Sequence, residues 1–102
     1  MFSNTSGFGN TASGYNSMQA NVAGFFNTAN GFGSLSSNLQ GSYNNAQGYN
    51  ALLSNTSGAE NNATGDRALY SNTTGNDNTA YGSKALFQTQ LETTMLLLAT
   101  VH

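Results

Sequence analysis

A chain of 102 residues has the length of one ordinary domain, and only six residues carry charge: Glu60, Asp66, Arg67, Asp77, Lys84 and Glu92. A net charge of -2 excludes the basic patch that would attract a polyanion, so nucleic acid is not an expected partner. With no cysteine, neither a disulfide framework nor a thiolate metal site is expected, and cysteine usage leaves the redox compartment open.

Taken in chain order, Met1, Phe2, Ser3 and Asn4 show neither the basic nor the apolar stretch of an export signal, so secretion would need a signal outside this chain. From Asn4 the sequence divides without insertion into 17-residue blocks: 4–20, 21–37, 38–54, 55–71 and 72–88. The first phase of every block is Asn (Asn4, Asn21, Asn38, Asn55, Asn72), the fourth is Gly, and the seventh is Asn again (Asn10, Asn27, Asn44, Asn61, Asn78). The ninth is Ala (Ala12, Ala29, Ala46, Ala63, Ala80), the eleventh is Gly, and the fifteenth is a large aliphatic (Met18, Leu35, Leu52, Leu69, Leu86).

A fixed period with turn-forming residues at fixed phases predicts a solenoid, because one such coil can bury its apolar phases only against its neighbours. Seventeen residues are too few for a helical repeat, which needs roughly 33 to 47. Two glycines per coil mark bends, on the expectation that glycine is placed where φ must be positive. Asn-Thr-Ala-x-Gly reads as a strand of about four residues, its Ala turned inward and its varied neighbours outward. The predicted fold class is therefore all-β, a parallel β-solenoid of about five coils over residues 1–88. Stacked coils bring identical residues to about 4.8 Å, so each Asn column is expected to be a ladder of amide hydrogen bonds, with the Ala and aliphatic columns as core.

The aliphatic column is a thin core for so many ordered residues, and this points to packing between chains. Phe8, Phe25, Phe26 and Tyr43 form one aromatic stripe, and Tyr15, Phe32 and Tyr49 a second, both expected to be exposed and to meet sister chains in a homo-oligomer. Glu60 and Asp77 share the sixth phase, and Arg67 and Lys84 the thirteenth; these four are expected to pair across chains. After Gln88 the signature stops, since Thr89 stands where Asn is due and Glu92 where Gly is due, so residues 89–102 are expected to be a C-terminal cap or the first turns of a helix. Residues 95–101 are apolar except for Thr100 but far short of the roughly 20 needed to span a bilayer as a helix, so no membrane insertion is expected.

Blocks such as residues 71–86, with Asn78-Thr79-Ala80-Tyr81-Gly82 followed by Ala85-Leu86, resemble the head repeats of trimeric autotransporter adhesins, the YadA-like heads, and repeat arrays of surface and tail-fibre proteins. The resemblance covers residues 1–88. It implies a left-handed β-roll, a homotrimer about one axis, and display on a cell or virion surface, where the module binds host or matrix. One departure is plain: the place before the second Gly is polar or aromatic here (Ser13, Asn30, Gln47, Thr64, Tyr81), where the family carries an apolar residue.

Catalytic chemistry is not expected. His102 is the one histidine and has no thiolate or carboxylate set around which a triad or metal site could form, and no cofactor motif is present. The two aspartates do not supply a calcium-binding β-roll, and the Gly-rich stretches lack the Lys of a phosphate loop. Sequons begin at Asn4, Asn55, Asn62 and Asn72, of which the ladder positions would be committed to their own columns. The expected function is a structural or adhesive head or fibre module binding a host, matrix or abiotic surface. Two alternatives are a self-assembling filament segment and an ice-binding solenoid. The latter would use Thr columns at Thr5, Thr56, Thr73 and at Thr11, Thr28, Thr79, columns that Val22, Leu39, Asn45 and Asn62 interrupt.

Overall fold

The structure is a computed structural model that describes residues 6–87 and the backbone of Met95–Leu97. Six short strands, β1 (Thr11–Ser13), β2 (Thr28–Asn30), β3 (Asn45–Gln47), β4 (Asn62–Thr64), β5 (Asn78–Tyr81) and β6 (Met95–Leu97), form one parallel sheet in sequence order. Ala12 pairs with Ala29, Ala29 with Ala46, Ala46 with Ala63 and Ala63 with Ala80, each step spanning one 17-residue block. Ala29, Ala46, Ala63 and Ala80 are buried, while the strand residues on either side of them are exposed or half-buried, apart from Asn78 at the start of β5. The period-2 expectation therefore holds, in strands one residue shorter than expected except for β5.

The core is narrow and runs the length of the stack. Met18, Leu35, Leu52 and Leu69 are fully buried, and Ala51, Ala68 and Ala85 stand beside them at the fourteenth phase, a second core column that the sequence reading does not single out. In the first two blocks that phase is Ser17 and Ser34, buried as well, each hydroxyl donating to the carbonyl of the Gly three residues earlier, at 2.9 and 3.0 Å. A buried hydroxyl costs free energy unless it is bonded, and this local bond lets Ser substitute for Ala there.

How each rung turns its corners differs from expectation. The left-handed region of φ is occupied mainly by residues other than Gly: Phe26, Tyr43, Glu60 and Asp77 at the sixth phase, Asn16, Asn50, Arg67 and Lys84 at the thirteenth, and Met18, Leu35, Leu52, Leu69 and Leu86 at the fifteenth, with φ between 49° and 62°. Each corner aims a backbone N–H along the solenoid axis. Tyr43 N donates to Phe25 O and Asn50 N to Phe32 O in the rung before, at 3.0 and 2.7 Å, whereas Leu52 N donates to Ala68 O in the rung after, at 3.0 Å. An unbonded buried N–H costs about as much as the conformational strain, so inter-rung bonding holds these side chains where L-residues rarely sit.

The two glycine phases serve different ends. At the eleventh phase φ lies between +119° and +127°, as expected of a bend. The fourth phase is not in the positive region, and there the need is for space: a Cβ on Gly24, Gly41 or Gly58 would run into the carbonyl oxygen of the next rung's Gly and into the amides of the first Asn column. The expectation that both glycines provide positive φ is corrected on this point.

The 17-residue spacing also outlasts its side-chain signature. β6 pairs with β5 in the same register, Asn78 with Met95, Thr79 with Leu96 and Ala80 with Leu97. Of the segment expected to be a cap or helix, these three residues are a strand, because parallel pairing is a backbone property and needs neither Asn nor Ala. The rest of that segment lies outside the described residues.

Candidate functional surface

Two buried Asn columns hold the rungs in place and so position every outward side chain. In the first, Asn38, Asn55 and Asn72 each donate Nδ2 to Oδ1 of the Asn one rung before, at 2.8, 2.9 and 3.0 Å, and also to the carbonyl of the Gly three residues ahead in their own rung. In the second, Asn27, Asn44 and Asn61 donate Nδ2 to the preceding Asn Oδ1 at 3.1 Å, and to a Gly carbonyl one rung ahead at 2.7–2.8 Å. The same Oδ1 accepts a backbone N–H, as Asn27 Oδ1 does from Asn44 N at 2.9 Å.

Gly41 O thus accepts from both Asn27 and Asn38, and the equivalent carbonyls join the two columns at each level. The expected ladders are present over the described residues, with Asn4 outside them. The first ends at Asn72, whose Oδ1 is buried without a partner, and the second stops at Asn61: Asn78, expected in the ladder, joins only through its backbone N–H to Asn61 Oδ1 at 3.0 Å, and both its side-chain polar atoms are buried without a partner. The phases above them hold Thr89 and Met95 instead of Asn.

Outside this scaffold the strand face carries Thr11, Thr28, Asn45, Asn62 and Thr79 on one row and Ser13, Asn30, Gln47, Thr64 and Tyr81 on the next. Asn45 Nδ2 donates to Asn62 Oδ1 at 3.3 Å and Gln47 Nε2 to Asn45 Oδ1 at 2.8 Å.

At the edge that precedes each strand, Phe8 and Phe25 stack with centroids 5.1 Å apart and planes 3° from parallel, and Phe26 and Tyr43 pack against them. At the edge that follows each strand, Tyr15, Phe32 and Tyr49 form a column with centroids 5.5 and 5.4 Å apart. Both stripes are thus continuous within one chain, and all of their rings but the half-buried Phe25 are exposed: 70 % at Tyr15 and 59 % at Phe8.

Below the aromatic rungs both edges turn charged, the first at the same sixth phase and the second at the thirteenth phase, next to the twelfth-phase aromatic column that continues as Asp66 and Ser83. Glu60 and Asp77 continue the first edge and are exposed. Arg67 and Lys84 continue the second, Arg67 lying 5.2 Å above the Tyr49 ring centroid and 4.0 Å from Asp66. Among the described residues that is the one ion pair, so the acidic and basic columns do not meet within the chain. The charged residues gather no set of three metal-ligating side chains, among the described residues. His102 lies outside those residues, as does the sequon at Asn4. The sequons at Asn55 and Asn72 are fully buried in the first ladder, and that at Asn62 is on the outward row of β4.

Backbone bonding recruits one side-chain phase that the sequence reading passed over. Phe25 N donates to Ser42 Oγ at 3.1 Å and Ala59 N to Asn76 Oδ1 at 2.8 Å, so among the described residues the fifth phase bonds to its successor wherever that successor is polar. The available signal was the change from Phe8 and Phe25 to Ser42 and Asn76 at one phase.

This arrangement defines a parallel β-solenoid with ladder-bonded rungs and a ten-residue polar face between two aromatic-to-charged edges. No family model, curated protein or solved structure matches the chain.

Proposed function

We propose that the chain is a non-catalytic structural or adhesive module of a fibre or surface layer, displayed outside a cell or virion, that holds a patterned face against a host, matrix or abiotic surface. The observation that carries this reading is the pair of buried Asn ladders: the invariant phases are spent on stacking rungs, and the phases that vary from block to block are the outward ones. A rod so held presents side chains at a fixed pitch with little entropy left to lose on binding. The likeness of residues 1–88 to adhesin head repeats supports the same class.

Adsorption of the intact chain to immobilised matrix proteins, polysaccharides and bare mineral or polymer surfaces, followed by quartz-crystal microbalance, tests the reading. Saturable binding to one of these is expected, weakened at least about tenfold when Thr28 and Thr64 on the strand face are both changed to Lys. Retained binding in that variant, or none to any surface, refutes it.

A second reading, ice binding, draws on Thr11 and Thr28, neighbours on the outward row of β1 and β2. Asn45 and Asn62 bond to each other further along that row and break the hydroxyl lattice, which makes it the weaker of the two. Thermal hysteresis separates them: clear activity favours ice binding.

A further inference from the structure

We infer that the two edges of the strand face are complementary, and that each takes the opposite edge of a second copy of this chain, side by side, in the same direction and in the same register. This partner assignment rests on the edge geometry and does not depend on the surface-binding reading.

The sixth phase stands just before each strand and the twelfth and thirteenth just after it, so the two lie on opposite borders of one face. Phe26 on the first edge is level with Phe32 on the second, and Tyr43 with Tyr49, each pair coming from one block. In the fourth block Glu60 is level with Arg67, and in the fifth Asp77 is level with Lys84. Aromatic is thus level with aromatic twice and acid with base twice. The first edge carries two acids, and the second carries two bases against the single Asp66 that leans on Arg67.

Within the chain the strand face keeps these groups apart: no ring contact joins the two aromatic stripes and no ion pair joins the two charged columns, among the described residues. The partner for each edge is therefore sought outside the chain. A reversed neighbour would set Phe26 against Lys84 and Tyr43 against Arg67 and leave both acids facing rings, whereas a neighbour slipped by one rung would set either Tyr43 against Arg67 or Glu60 against Tyr49 and keep a single acid–base pair. Copies in the same direction and register satisfy all four levels together, and like charges facing each other would cost affinity. The contact is heterologous, one edge against a different edge, so repeated copies close into a ring or extend as a ribbon with the strand faces side by side.

The charge columns can be exchanged without disturbing the fold, since Glu60 and Lys84 adopt the same backbone conformation, both at φ 59°. Two variants follow: Glu60→Lys with Asp77→Lys, which makes both edges basic, and Arg67→Glu with Lys84→Glu, which makes both acidic. Sedimentation velocity on the wild-type chain and on each variant reads association, with circular dichroism reading the fold.

The wild type is expected to associate, and each variant alone to associate at least about tenfold more weakly while keeping the wild-type spectrum. An equimolar mixture of the two variants is expected to recover association, because each basic edge then finds an acidic one. A wild type that stays monomeric, variants that associate as the wild type does, or folded variants that fail to recover on mixing would each overturn the assignment. Adsorption by a monomeric wild type would leave the proposed function standing while removing this inference.

Discussion

Replacing Asn44 by alanine tests the ladder where its bonding is fullest. Asn44 is 2 % exposed. Its Nδ2 donates to Asn27 Oδ1 at 3.1 Å and Gly58 O at 2.8 Å, and its Oδ1 accepts from Asn61 N at 3.0 Å and Asn61 Nδ2 at 3.1 Å. Alanine removes all four bonds. Asn27 Oδ1 and Gly58 O keep other donors, in Asn44 N and Asn55 Nδ2, but the Asn61 backbone N–H loses its acceptor inside the stack.

At about 0.5–1.5 kcal/mol per bond, with the orphaned amide at the upper end, the expected loss is about 3–5 kcal/mol. The control is Asn30→Ala: Asn30 is exposed on β2, and its replacement should change stability by no more than about 0.5 kcal/mol. Urea unfolding followed by far-UV circular dichroism, at one fixed protein concentration because association would add to stability, gives both values. Equal shifts below about 1 kcal/mol for the two variants would refute the claim that the buried amides hold the rungs together.

Gly41→Ala should cost about 2–4 kcal/mol although Gly41 is not at positive φ, because the added Cβ displaces the ladder amides around it, with Asn55 Nδ2 only 2.8 Å away; a thermal midpoint unchanged from wild type would contradict this. Leu52→Ile should cost more than the roughly 1.5 kcal/mol usual for a volume-conserving core change, since φ at Leu52 is 53° and a branched Cβ fits that region poorly. Leu52→Met is its control and should stay below that limit, Met18 already occupying the same phase at φ 49°. Glu60→Asn, at φ 59° on an exposed corner, should raise stability by about 0.5 kcal/mol, as Asn tolerates the left-handed region better than Glu does; a lower urea midpoint would count against the strain argument.

The register of the stack was legible because it is written in side chains. Asn, Ala and the large aliphatic each recur every 17 residues, and each column serves one purpose, an amide ladder or a strip of core, that nothing else would keep in phase over five blocks. The conformation of the corners was not legible. Leucine carries no signal for positive φ, and what places Leu35, Leu52 and Leu69 there is the direction of a backbone N–H toward the neighbouring rung, a constraint every residue type shares.

For the same reason Gly41 and Gly48 look alike in sequence while one makes room for amides and the other bends the chain. β6 was hidden because Met95–Leu97 keep the spacing and lose the signature. On the surface, the aromatic and charged phases could be read as columns, but that they flank one strand face and have no partner on the other edge required the coordinates.

The most direct test of the central claim is side-chain amide hydrogen exchange, measured by NMR on the asparagine NδH2 groups of the folded chain. The ladder amides of Asn27, Asn38, Asn44, Asn55 and Asn61 are predicted to exchange orders of magnitude more slowly than that of exposed Asn30 and to reach full rate only on unfolding. Exchange at the same fast rate in all six, from a chain that remains folded, would contradict it.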